Sequence, residues 1–160
     1  MCGIGPVEAA AATARALAER RPDAVLHIGI AGGRGIDPPA IVLGSEAVYC
    51  DIAGDLAARL PRIHRAAADA SLLAAAEAAL PEALIRTIGT TARVGHATGF
   101  DVEAMEGFAV LRAAELARVP ALELRAISND ADEPDRSLWR NDDAFAALQD
   151  AVPRVLAALE

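Results

Sequence analysis

Residues 102–130 read VEAMEGFAVLRAAELARVPALELRAISND. Apolar positions recur at helical spacing from Ala104 to Arg118, which predicts a helix there. Val119-Pro120 is a short link, because the residue before a proline disfavours helix. Ala121 to Ile127 alternates and predicts a strand that ends in Ser128-Asn129-Asp130. The stretch therefore sets a carboxylate, Glu106, at a helix start and an amide, Asn129, at the C-terminal edge of the next strand. That pairing suits a small polar ligand with hydroxyls at one end and a heteroaromatic ring at the other.

The same grammar extends outward. Gly3-Ile4-Gly5-Pro6 is a turn, and Pro6 suits the first position of a helix over Ala9–Arg20. Asp23–Ile30 (DAVLHIGI) is a continuous apolar run and predicts a buried central strand. Ala31–Pro39 is a Gly/Pro loop, and Ile41–Cys50 is one or two strands with a break at Gly44. Asp51–Leu60 is ambiguous. Ala66–Leu80 is a second helix, Leu84–Thr91 a strand, and Ala92–Asp101 a loop or irregular strand. A charged loop, Asp130–Arg140, leads to a closing helix over Asp142–Leu159, which Pro153 is expected to kink or interrupt. Helices alternating with strands make this an α/β chain, expected as a three-layer αβα sandwich on a mostly parallel sheet. One domain over residues 1–160 is expected, with no internal repeat or linker.

Composition narrows the chemistry. The net charge is −8, which argues against a general affinity for nucleic acid or anionic membrane. All 15 basic residues are arginine, so a Walker lysine and a Schiff-base lysine are excluded. No apolar run reaches about 18 residues, so no membrane span is expected, and no signal-peptide pattern opens the chain. Cys2 and Cys50 are far apart and form no CxxC, which fits two free thiols in a reducing cytoplasm. Neither a metal nor a cofactor is expected.

Single residues divide into candidates and bystanders. Gly29–Gly35 follows a strand, but Asp37-Pro38-Pro39 and another β-like run come next, so the dinucleotide fingerprint fails for want of its helix. What remains is a small-residue edge where Ala31 and Gly32 let a ligand lie against backbone. Of the two acids, Glu106 sits among Met105, Gly107 and Phe108, while Glu103 is expected to be solvated. Asp130 and Asp132 are expected to be solvated as well. His27 reads as a hydrogen-bonded core histidine, His64 as exposed, and His96 as a loop residue able to approach the site. Trp139 is either a core anchor or a lid over the ligand. No GxSxG occurs, and acyl transfer has no support.

These residues resemble the nucleoside phosphorylase/nucleosidase superfamily. The likeness rests on VEAMEGFAVLRAAELARVPALELRAISND, on GIGPVEAAAATARAL and on LHIGIAGG, in the family's order. Val102–Gly107, Ser128-Asn129 and Asp135–Arg140 (DRSLWR) are similar to the futalosine hydrolases of the menaquinone pathway. The resemblance implies that Glu106 holds the ribose hydroxyls and Met105 packs on the sugar. Ala31 and Gly32 would then contact the nucleoside through backbone, Ser128 and Asn129 would face the purine, and Phe100 would supply an aromatic contact to the base. Adenine-specific members carry aspartate where this sequence has Asn129, and an amide suits a 6-oxopurine. The expected reaction is hydrolysis of a futalosine-like 6-oxopurine nucleoside to release hypoxanthine, with a purine nucleoside phosphorylase, a methylthioadenosine/S-adenosylhomocysteine-type nucleosidase and a nucleoside-binding protein without turnover as the alternatives. Phosphorolysis would instead need an arginine-lined anion pocket, for which Arg34 and Arg93 are the loop candidates. The family's N-terminal strands, and the acid that activates water in related nucleosidases, have no counterpart in the sequence. A shortened sheet implies an edge to be covered, and homo-oligomerisation is one way to cover it.

Overall fold

The computed structural model describes residues 1–52, 63–95 and 98–160. Helix α1 spans Pro6–Glu19, with Pro6 in its first turn and Gly5 before it at φ +85°, a conformation that glycine adopts without penalty. Strand β1 is Val25–Gly33 and β2 is Ile41–Tyr49. Strand β3 (Arg65–Ala67) is short, and α2 runs Ala70–Ala79 behind Asp69, whose carboxylate caps the amides of Ser71 and Leu72. Strand β4 is Leu84–Thr90 and β5 is Val102–Ala104. Helix α3 is Gly107–Ala117, β6 is Ala121–Asp130 and α4 is Asn141–Leu159.

Several boundaries differ from those read in the sequence. Ala31–Gly33 belongs to β1, because β6 supplies a parallel partner for the whole strand. Ala66 and Ala67 pair with β2, which delays α2 to Ala70. Val102–Ala104 is a strand inserted between β1 and β4, so Glu106 precedes the first helical residue. Gly44 does not break β2; it marks a bulge where the same edge leaves β6 and takes up β3. Helix α4 continues through Pro153. Pro153 and Gln149, whose carbonyl loses its donor, are exposed, so water can replace the missing bond.

The sheet is mixed, not mostly parallel. β1–β6, β2–β4 and β4–β5 are parallel, whereas β1–β5, β2–β6 and β2–β3 are antiparallel. The β2–β6 pairing closes the strands into a ring, β2-β4-β5-β1-β6, in place of the expected open sandwich. Ala31, Val42, Ile88, Val102 and Ile127 fill the ring from its different strands. Helices α2 and α4 cover Leu43, Leu122 and Leu124 on one outer side. Helix α3 packs Leu111 and Ala114 on Ala47, Ala66 and Ala121, and α1 packs on α3.

Closure changes what the alternation in β6 means. Leu122, Leu124 and Ala126 face α2 and α4. The intervening residues Glu123, Arg125 and Ile127 face the ring, not solvent, and Glu123 and Arg125 are 0% and 3% exposed. No described helix is long and apolar enough to cross a membrane.

Candidate active site

A cavity of about 390 Å³ opens at the C-terminal ends of β1 and β6, the edge at which α/β sheets receive ligands. It gathers three sequence-distant groups: Ala31 and Gly32 from β1, Glu103–Glu106 from β5 and the turn after it, and Ser128 and Asn129 from β6. Ile4, Thr91, Arg93, Val94, Arg136 and Trp139 complete much of the wall.

Glu106 ends the turn between β5 and α3. Its carboxylate does not cap the helix. Oε1 accepts from the Gly5 amide at 3.1 Å, and Oε2 accepts from Arg125 Nη2 at 3.2 Å. The side chain is 12% exposed, so these donors fix its direction while one face stays open to the cavity. The turn that sets Gly5 at positive φ therefore has a second use: it aims an amide at Glu106.

Arg125 was not among the residues singled out in the sequence, and it organises the site. Nε donates to Glu123 Oε1 at 2.8 Å, and Nη1 donates to the Ile30 carbonyl at 3.2 Å. His27 Nε2 lies 3.3 Å from Nη2. Gly29 makes room, since a Cβ there would sit 2.2 Å from Nη1. The available signal was an acid and an arginine inside an otherwise apolar strand directly upstream of Asn129.

At the other end, Asn129 is 8% exposed. Its Oδ1 accepts from the Ser128 hydroxyl at 2.7 Å, and its Nδ2 donates to the Asp130 carbonyl at 2.8 Å. Gly32 is small for the same reason: a Cβ would lie 3.3 Å from Nδ2 and 3.0 Å from Ala131 Cα.

Other expectations change. Glu103 is buried at 7% exposure instead of solvated. Its Oε1 accepts from Arg34 Nη1 at 2.7 Å and from the Thr98 amide and hydroxyl at 2.7 and 2.6 Å. Arg34 also forks onto exposed Asp132 and donates to the Phe100 carbonyl. Hydrogen bonding to Glu103, then to Asp132, holds the Arg34 guanidinium above its usual range. Phe100 is not part of the cavity wall; its ring borders Gly89, where a Cβ would come within 3.2 Å. Trp139 lines the cavity, and the Arg136 guanidinium lies 5.5 Å from its ring centroid. Met105 lines the cavity as well. His64 is half-buried and away from the cavity wall, and His96 lies outside the described residues. Among the described residues no cluster of histidine, cysteine and carboxylate has the make-up of a metal site.

A profile of the phosphorylase superfamily matches residues 1–95. Futalosine hydrolase of Streptomyces coelicolor is 37% identical over 188 residues, covering 99% of this chain and 77% of that protein. The chain belongs to the phosphorylase superfamily. It is a hydrolase of the nucleosidase type. The 5′-methylthioadenosine/S-adenosylhomocysteine nucleosidase of Colwellia psychrerythraea 34H, solved in complex with adenine, matches with a TM-score of 0.86 at 26% identity. That match covers 99% of this chain and 76% of the other. Futalosine hydrolase of Helicobacter pylori strain 26695 shares the fold, with a TM-score of 0.85, 20% identity and coverage of 98% and 77%.

Burial, and then the Arg125 charge, lowers the His27 pKa to about 3. His27 is thus neutral when folded but titrates near 6.5 when unfolded. The unfolded state binds the extra proton, so His27 contributes stability above about pH 6.5 that is lost as pH falls towards about 3. Urea unfolding between pH 7 and 4 should show a fall of a few kcal/mol that is flatter in His27→Asn; equal slopes in the two proteins would refute this.

Proposed function

We propose that this chain hydrolyses the N-glycosidic bond of a 6-oxopurine nucleoside of the futalosine type and releases hypoxanthine. The fixed orientation of Asn129 carries the reading. Ser128 occupies one acceptor position of Oδ1, and the Asp130 carbonyl takes one hydrogen of Nδ2. One acceptor position and one N–H remain for the cavity. A 6-oxopurine matches them: O6 accepts from Nδ2, and the N7–H of the departing base donates to Oδ1. A 6-amino group would meet the Nδ2 donor with another donor. Aspartate at this position would set an oxygen against the Asp130 carbonyl, 2.8 Å from the present Nδ2, and would have to be protonated or turn away.

The sugar end follows from charge. As the C1′–N9 bond breaks, positive charge develops on the ribose and negative charge on the purine. Glu106 lies in the wall with its carboxylate already oriented, so it accepts from the ribose hydroxyls and stabilises the cationic sugar. Ala31 and Gly32 offer backbone, and Met105 packs on the sugar. Water attacks C1′, the C–O bond forms as C1′–N9 breaks, and the proton that water gives up is balanced by the one the departing purine takes up at N7. Of the two loop arginines, Arg34 is committed to Glu103, Asp132 and the Phe100 carbonyl, whereas Arg93 lines the cavity, so the dependence of base release on phosphate separates hydrolysis from phosphorolysis. We place the activity in the cytoplasm, in a single nucleosidase-like domain that assembles into a homo-oligomer.

Asn129→Asp should lower hypoxanthine release about 10–100-fold, the effect of one or two mispaired buried groups, and raise adenine release relative to it. Chromatography of both bases from matched nucleosides measures this, and an unchanged ratio would defeat the base assignment. Glu106→Gln should reduce kcat/KM by at least about 100-fold; a wild-type rate in steady-state assays would remove Glu106 from the sugar site.

A further inference from the structure

Arg125 serves two carboxylates, and only one of them reaches the cavity. Glu106 Oε2 accepts from Nη2, and Glu123 Oε1 accepts from Nε. Glu123 is 0% exposed, does not line the cavity, and has an Oε2 with no hydrogen-bond partner among the described residues. Arg125 faces it from β6, and His27 faces it from β1, with Nδ1 3.6 Å from Oε1. The turn before α3 brings Glu106 and the backbone of Gly107, where a Cβ would lie 2.1 Å from Oε2. Strand β2 contributes uncharged Gly44. A buried acid with an unpaired oxygen is costly, and an apolar residue would serve packing at this position better.

We propose that Glu123 is a positioning residue of this site: it takes part of the Arg125 charge through Nε, so that the guanidinium does not neutralise Glu106. The inference rests on the reading of Glu106 as the ribose carboxylate. One guanidinium between two carboxylates leaves a net negative charge, and neutral His27 does not cancel it. That surplus faces the ribose as it becomes cationic. When Glu123 takes up a proton, the whole Arg125 charge falls on Glu106, and the transition state loses attraction that the neutral ground state never used. Burial raises the Glu123 pKa, with Arg125 opposing, so the switch occurs above the ordinary carboxylate range. Turnover is therefore fast with Glu123 ionised and declines as pH falls.

Glu123→Gln keeps the shape and an acceptor for Nε but removes the charge. Relative to the unmodified protein, kcat for a 6-oxopurine nucleoside should fall roughly tenfold with KM nearly unchanged, and the acid limb that Glu123 sets should be lost. Hypoxanthine affinity, which reports the base end, should not move. Glu123→Leu gives a second uncharged variant in case the buried amide prevents folding, and Glu123→Asp should keep the limb. No turnover by the unmodified protein would overturn the Glu106 reading and this inference together. Turnover with an unchanged kcat and acid limb in the uncharged variants, or a lowered melting temperature alone, would overturn the inference and leave the reading of Glu106 intact.

Discussion

A guanidinium enclosed by a sheet needs an acceptor in every direction its hydrogens point, and meeting that need for Arg125 fixes much of the molecule. The Ile30 carbonyl, Glu123 and Glu106 supply the acceptors. Gly29 lacks a side chain because Nη1 occupies its place, and Gly107 lacks one because the Glu123 carboxylate does. Leaving one partner of such a buried set unmatched typically costs about 3–5 kcal/mol, so the group stands or falls together. Its outermost member, Glu106, also takes the Gly5 amide, which ties the N-terminal turn to the sheet. The cavity's acid is thus held before any ligand arrives, as stabilisation of developing charge requires.

Ring closure makes this possible. It encloses one face of β6, and Glu123 and Arg125 lie buried on that face. Pairing β2 with β6 moves them inside. The same pairing stacks Leu43 against Leu124 beneath α2 and α4. One strand therefore delivers apolar core to α2 and α4 on one face and, on the other, the Glu123–Arg125 pair and then Ile127, before Asn129 at the cavity.

The sequence made the α/β order, the helices α1 and α3 and the two ends of the cavity legible, because these depend on local periodicity and on caps. Glu106, Asn129, Ala31, Gly32, Met105 and Ser128 line one cavity. What local pattern could not show was which face of a strand is wet. Glu103 looked solvated because nothing nearby in the sequence announces Arg34, 69 residues earlier, as its partner. Arg125 was not singled out, because its partners Glu106 and Ile30 are distant in the sequence and the enclosing β2–β6 pairing is long-range. Phe100 was placed by analogy with other members, and here its loop is drawn instead towards Gly89 and Arg34.

The central claim is that an oriented amide and an oriented carboxylate, 23 residues apart in the sequence, hold the two ends of a 6-oxopurine nucleoside for attack by water. The most direct test is chromatography of the purified protein's products from futalosine or inosine, and in parallel from methylthioadenosine, with and without phosphate. The account predicts hypoxanthine in phosphate-free buffer, formed faster than adenine. Faster adenine release, or hypoxanthine only when phosphate is present, would contradict it.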